Sequence, residues 1–179
     1  MPAIERLTAD DFDAGVKELA GLLVDAVDSG ASVGFLAPFG HEEAAAWWRS
    51  QAPAVADGSL LVWVCRDGSA VTGPVIGTVS LALASKPNAH HRAEIVKLMV
   101  HREARGRGLS RALLATAERA ALDAGADLLL LDTETGSTAE HVYRTGGWTR
   151  YGIVPGYAGS PDGTLQDCSF FYKQLTASG

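Results

Sequence analysis

Val100-His101-Arg102-Glu103-Ala104-Arg105-Gly106-Arg107-Gly108-Leu109-Ser110 is the stretch on which the fold turns. Before it, Ala93 to Val100 is apolar, β-prone and of strand length. After it, Leu109, Leu113, Ala117, Ala120 and Ala121 recur at helical spacing until Gly125. A strand therefore enters a long helix through a turn holding two glycines. Two readings fit such a junction. One is a tight connection with a solvated basic face. The other is a phosphate cradle: glycine lets the backbone approach a ligand, and a helix N-terminus offers an anion unpaired N–H groups and a favourable dipole. Arg105 and Arg107 would add positive charge beside it. The Gly-Lys-Ser/Thr ending of a nucleotide-binding P-loop is missing, and so is the Gly-x-Gly-x-x-Gly order of a dinucleotide fold.

Outward from this turn the chain alternates strands and helices. Ala3 to Arg6 is a short strand signal. Thr8 with Asp11 opens a helix carrying Phe12, Val16, Leu19, Leu22, Leu23 and Val27 on one face, and Ser29-Gly30 closes it. A second helix is predicted from about His41 to Ala56. Leu60 to Arg66 and Val75 to Ala84 form a hairpin through Asp67-Gly68 and Gly73-Pro74 turn chemistry. Leu128 to Leu131 is apolar throughout and reads as a central strand buried on both faces. Ser137 and Glu140 make a capping box for the helix holding Tyr143, which Gly146-Gly147 ends. Trp148 to Val154 and Ser169 to Leu175 supply two last strands around a Pro161-Asp162-Gly163 loop. The predicted class is α/β (α+β): one domain over residues 1–179, with a mixed central sheet of about six to seven strands flanked by about four helices.

The 179 residues are 47% hydrophobic and 20% charged, the profile of a globular chain, and the formal net charge is −6. That balance disfavours nucleic acid and anionic membranes as partners and suits a cationic ligand. No apolar run approaches the roughly 18 residues of a membrane span. Glu5, Asp10, Asp11 and Asp13 stand where a secretory signal would be basic and then apolar, so a soluble, cytoplasmic protein is expected. Cys65 and Cys168 sit in strand-like runs and read as small buried hydrophobes, not as a disulfide or a metal site; no metal is expected.

Arg105-x-x-Gly108-x-Ser110 resembles the Arg/Gln-x-x-Gly-x-Gly/Ala pyrophosphate motif of the GNAT superfamily of N-acetyltransferases, with Ser110 for glycine or alanine. Downstream, Ala139-x-x-Val142-Tyr143-x-x-x-Gly147-Trp148 resembles that family's Ala-x-x-Leu-Tyr-x-x-x-Gly-Phe ending. The resemblance spans nearly the whole chain. Gly30 to Phe35, Arg92 to Val100, Leu131 to Glu134 and Pro155-Gly156-Tyr157 are most similar to the tabtoxin-resistance acetyltransferases. It implies the GNAT fold, acetyl-CoA as cosubstrate, and a small amine as acceptor: a toxin, an antibiotic or an amino-acid-like molecule. Transfer to a protein N-terminus or lysine, and a sensor that holds acetyl-CoA without turnover, are the alternatives. A homodimer is compatible with the sequence.

The resemblance further implies a cofactor site of Leu98, Met99, Val100, Arg105, Gly106, Arg107, Gly108, Leu109 and Ser110. Main-chain groups of Leu98 and Val100 would pair with the pantetheine like an added strand, and backbone N–H groups where two strands splay would stabilise an oxyanion. Gly136 stands where many members carry an asparagine that reaches the pantetheine. An alkyl amine, with a pKa near about 10.4, arrives protonated and needs a proton acceptor. Glu94 and Asp132 are the candidates, directly or through water, with Glu134 behind them. Their alternatives are a solvated acid at a strand end and an acid bonding loop amides. His90 and His91 read as surface residues. Tyr143 matches the family's general acid; its alternative is a core tyrosine. Phe35 and Tyr157 are expected as aromatic walls of an acceptor pocket and Asp162 as its charge partner. Trp47, Trp48, Trp63 and Trp148 read as core.

Overall fold

The computed structural model describes residues 3–68 and 73–176. Strand β1 (Ala3–Arg6) precedes helices α1 (Ala9–Asp28), α2 (His41–Ser50) and α3 (Ala52–Ala56). Strands β2 (Leu60–Arg66), β3 (Val75–Leu83) and β4 (Arg92–Val100) follow, then α4 (Leu109–Asp123), β5 (Leu128–Glu134), α5 (Thr138–Thr145), β6 (Thr149–Gly159) and β7 (Leu165–Gln174). The seven strands form one mixed sheet in the order β1-β2-β3-β4-β5-β7-β6, with only β4 and β5 parallel. The predicted hairpin is β2–β3, joined at Asp67 N–H to Pro74 O (3.0 Å).

Helices cover both faces. One core layer, between the sheet and α4 and α5, holds Trp63, Val79, Leu81, Leu113, Leu129 and Phe171; the other, between the sheet and α1 to α3, holds Phe12, Leu19, Leu23, Trp48, Val62 and Val64. Each such side chain contributes about 1.5–3 kcal/mol on burial, so these two layers fix the faces on which every strand residue points. Thr8 caps α1 by accepting the Asp11 N–H (3.2 Å), as its position before an amphipathic run predicts.

Three expectations are corrected. The helix predicted over 41–56 is two helices, because Pro53 lacks an N–H and starts a new one, with Gln51 between them. The described residues therefore carry five α-helices. Strand β5 is not buried on both faces: Leu129 and Leu131 are buried, whereas Leu128 and Leu130 are half-buried and Asp132 is exposed. No β5 residue joins the cluster beneath α1 to α3, so that face stays open. Strands β6 and β7 run longer than their apolar patterns, because register shifts at Arg150/Gly152 and Val154/Ala158 carry the ladder through residues that break alternation.

Cys65 and Cys168 are buried and free. Among the described residues, no helix is long and apolar enough to cross a membrane.

Two irregularities in β4 matter most. Its ladder with β5 holds only Arg92↔Leu128, Ala93↔Leu129 and Glu94↔Leu130, after which β4 continues to Val100 without a β5 partner. On its other side, Ser80 pairs Val96 but Thr78 pairs Met99, so β4 carries one extra residue. Lys97 lies in this bulge with φ +52°, the one non-glycine at positive φ among the described residues.

Candidate active site

At the β4–α4 turn, Gly106 (φ +78°) and Gly108 (φ +77°) are left-handed, and Gly108 is the N-cap of α4. A Cβ on either would meet no protein atom within 4 Å, so backbone conformation and not crowding within the chain demands glycine. No side chain caps α4, and its first helical bond runs from Ala112 N–H to Gly108 O (3.3 Å). The N–H groups of Leu109, Ser110 and Arg111 precede that bond and remain as donors. Arg105 bonds Val100 O (3.3 Å) and Ser29 Oγ (2.6 Å), and Arg107 bonds Asp67 Oδ1 (2.8 Å), fixing both guanidiniums beside the turn. Free donors, a helix dipole and two cations fit a diphosphate. Met99 is buried toward α1 to α3, leaving its main chain for any ligand, while Leu98 and Val100 are half-buried on the α4 side.

Where β4 and β5 part, Glu94 sits on the last rung and Asp132 two residues past its partner Leu130, on the same face. Both side chains reach solvent, yet the protein packed around them partly desolvates each carboxyl and raises its pKa above the ordinary range. Asp132 pushes Glu94 further up, whereas Lys97 draws Asp132 back. Tyr143, on α5, is buried edge-on to Trp148 (5.9 Å) and tilted against Phe171 (6.0 Å). Its hydroxyl makes no hydrogen bond within the described residues, and burial, with Asp132 second, raises its pKa.

Glu140, one turn before Tyr143, was visible only as half of a capping box. In the fold it is buried and accepts from Gly136 N–H (2.6 Å), Ser169 Oγ (2.8 Å) and Arg150 (3.0 Å). Burial pushes its carboxyl up, but these donors together outweigh it and leave the pKa lowered. The network ties α5, and hence Tyr143, to β6 and β7. Glu134 receives only a long bond from Ser160 Oγ (3.4 Å), and His90 and His91 are exposed.

The α1–α2 connection crosses the open face. Val33 O accepts from Lys97 Nζ (2.9 Å) at one end, and Ala37 N–H donates to Pro161 O (2.7 Å) at the other. Phe35 lies tilted against Phe39 (4.5 Å) and edge-on to Trp47 (5.5 Å), beneath Lys97. Tyr157 stands exposed, edge-on to Phe170 (5.0 Å), the partner of Asp132. The exposed Asp162 accepts Thr164 N–H (2.9 Å) in its own turn, which lowers its pKa; that turn, and no cleft residue, engages its carboxylate. Lys97 was not singled out in the sequence, since a bulge leaves no local signal. Trp48, Trp63 and Trp148 are buried as read, while Trp47 is half-buried.

A sheet opened beside a helix start whose free donors suit an anion, with two acids near the opening, is an arrangement suited to acyl transfer. Residues 17–147 match the model of the acetyltransferase (GNAT) family, and the chain belongs to that family. It is an acetyltransferase that uses acetyl-CoA. The fold matches a ribosomal-protein-alanine N-acetyltransferase from Brucella melitensis (23% identity, TM-score 0.75, covering 97% of this chain and 99% of that one). It likewise matches an N-acetyltransferase from Staphylococcus aureus Mu50 (17%, 0.77, 98% and 99%). A third match is yncA of Salmonella typhimurium, whose structure holds its cofactor acetyl-CoA (20%, 0.74, 100% and 96%).

Proposed function

We propose that this enzyme acetylates the primary amine of a small molecule. The observation that carries the reading is the parting of β4 and β5 at Glu94, which leaves Glu94 and Asp132 beside a strand edge that runs on to the α4 cradle. Acetyl-CoA, when bound, supplies the acetyl group as a thioester. The left-handed Gly108 and the N–H groups of Leu109 and Ser110, with Arg105 and Arg107, would hold its diphosphate, and the free edge of Leu98 to Val100 would receive its amide arm. Glu94 or Asp132 takes the proton of the incoming ammonium; a raised carboxyl pKa brings either closer to that task at neutral pH. As the amine nitrogen bonds the acetyl carbon, the C–S bond breaks and Tyr143 Oη gives its proton to the departing thiolate; burial raises the tyrosine's pKa and keeps it protonated until then. The strap over residues 30–40, tied to Lys97 and Pro161, narrows the acceptor side and favours a small amine over a polypeptide.

The test is thiol release from acetyl-CoA against amino acids, amino-acid toxins, aminoglycosides, polyamines and N-terminal peptides. Turnover with small amines is expected. Turnover on peptides alone, or tight acetyl-CoA binding with no turnover on any amine, would overturn the reading.

A further inference from the structure

Between α2 and the sheet lies a cavity of about 280 Å³, lined by Trp47, Trp48, Gln51, Ser80, Val96 and Lys97 among others. Its polar lining is rich in donors. Trp48 Nε1 and Ser80 Oγ are buried and have no hydrogen-bond partner, although both residues are at most 1% exposed. Lys97 Nζ bonds one main-chain oxygen, Val33 O, and otherwise lies over the rings of Trp47 (4.8 Å) and Phe35 (5.5 Å). Burial lowers the Lys97 pKa and Asp132 draws it only partly back, and no carboxylate of the described residues pairs with it within 4.0 Å. Unpaired buried donors and a half-buried ammonium are costly unless something accepts from them. An indole N–H and an ammonium can only donate, so the missing complement is an acceptor, and with a cation present an anion.

The backbone supports the same conclusion. Lys97 is held in a left-handed conformation that non-glycine residues adopt at a cost of about 1–3 kcal/mol, and the bulge sends it toward the cavity beside Val96. Ser80 and Ala82 form the β3 side of the floor, and Ala82 pairs directly with Glu94. The cavity therefore adjoins the candidate proton acceptor.

We propose that this cavity is the acceptor's carboxylate subsite: Lys97 Nζ, Trp48 Nε1 and Ser80 Oγ receive the carboxylate of an amino acid whose amine is directed to Glu94 and Asp132. The inference rests on the small-amine reading and narrows its acceptor to a zwitterion. Opposite charges at the two ends of the site select a molecule that carries both, and a decarboxylated amine leaves the three donors unpaired.

The experiment separates the subsite from turnover. The Trp48 indole N–H is followed by proton–nitrogen correlation spectroscopy while N-acetyl amino acids are added, with the corresponding N-acetyl amino-acid amides as controls. Saturable movement of the Trp48 signal with the acids and not the amides is expected. Ser80→Ala and Lys97→Met should each weaken binding about tenfold or more, with Ser80→Ala as the variant gentler on the fold. In parallel, acetyl transfer to free amino acids should exceed that to their amides and decarboxylated amines by a similar factor. Equal response to acids and amides, or no response to any acid, overturns the subsite, even if amines lacking a carboxylate are turned over and the enzyme reading stands. Trp48 movement by acids without turnover of any amine leaves a carboxylate-binding cavity but overturns its role as an acceptor subsite together with the small-amine reading.

Discussion

Gly108 tests the phosphate cradle most sharply, because two substitutions there separate backbone strain from ligand approach. Its φ of +77° suits glycine, is tolerated by asparagine and is strained for a β-branched residue. No protein atom lies within 4 Å of an added Cβ, so Gly108→Val loses stability through conformation alone, about 1–3 kcal/mol. For a chain of this length each kcal/mol lowers Tm by about 2–4 °C, giving a fall centred near about 6 °C. Gly108→Asn should fall by less than half as much. Acetyl-CoA affinity behaves differently. A side chain of either kind projects where the α4 N–H groups would meet the diphosphate, and losing one charge-assisted bond there is worth about 1.5–3 kcal/mol, or tenfold to hundredfold in Kd. Differential scanning fluorimetry reads the first quantity and calorimetric titration the second. An Asn variant that binds acetyl-CoA within about twofold of the unmodified enzyme refutes the assignment of this turn to the diphosphate.

Tyr143→Phe keeps the ring against Trp148 and Phe171, so stability and acetyl-CoA affinity should hold while kcat falls about a hundredfold or more; unchanged kcat in steady-state assays ends the general-acid role. The acid limb of kcat/KM should lie above the ordinary carboxylate range near about 4. Asp132→Asn removes the charge that raises Glu94: if Glu94 is the base, the limb moves to lower pH with turnover kept, and if Asp132 is the base, turnover is lost. A pH profile unaltered in both limb and height excludes both acids. Glu140 has a lowered pKa in the fold, so it stabilises the protein above its unfolded value of about 4.3, and that contribution disappears as pH falls through the folded value. Glu140→Gln should therefore lower Tm at neutral pH and show a shallower loss of Tm on acidification; parallel curves for the two proteins would count against the network.

What could be read ahead of the structure was local. Glycines at Gly106 and Gly108 flanked by a strand and an amphipathic run carry the β4–α4 turn in their own spacing. Ser137, Glu140 and Gly146 likewise bracket α5. What escaped depends on register between distant segments. Pro53 marked a break that apolar periodicity concealed, and the open face of β5 follows from where α1 to α3 end, not from Leu128 to Leu131. Lys97 looks like an ordinary half-polar strand residue until the pairing of Ser80 with Val96 and Thr78 with Met99 reveals an extra position. Asp162 was expected at an acceptor pocket from type alone, whereas a tight turn engages its carboxylate.

The short β4–β5 ladder also makes the sheet a seamed fabric. Strands β1 to β4 come from one continuous stretch of chain and β5 to β7 from a later one, and within the sheet just three parallel rungs sew the two ribbons together. Below Glu94 the seam is stitched; above it the ribbons gape. A molecule laid in the gape acts as thread, and any force prising the halves apart acts first on those three rungs. Ligand binding in that gap would therefore be coupled to the mechanical continuity of the sheet.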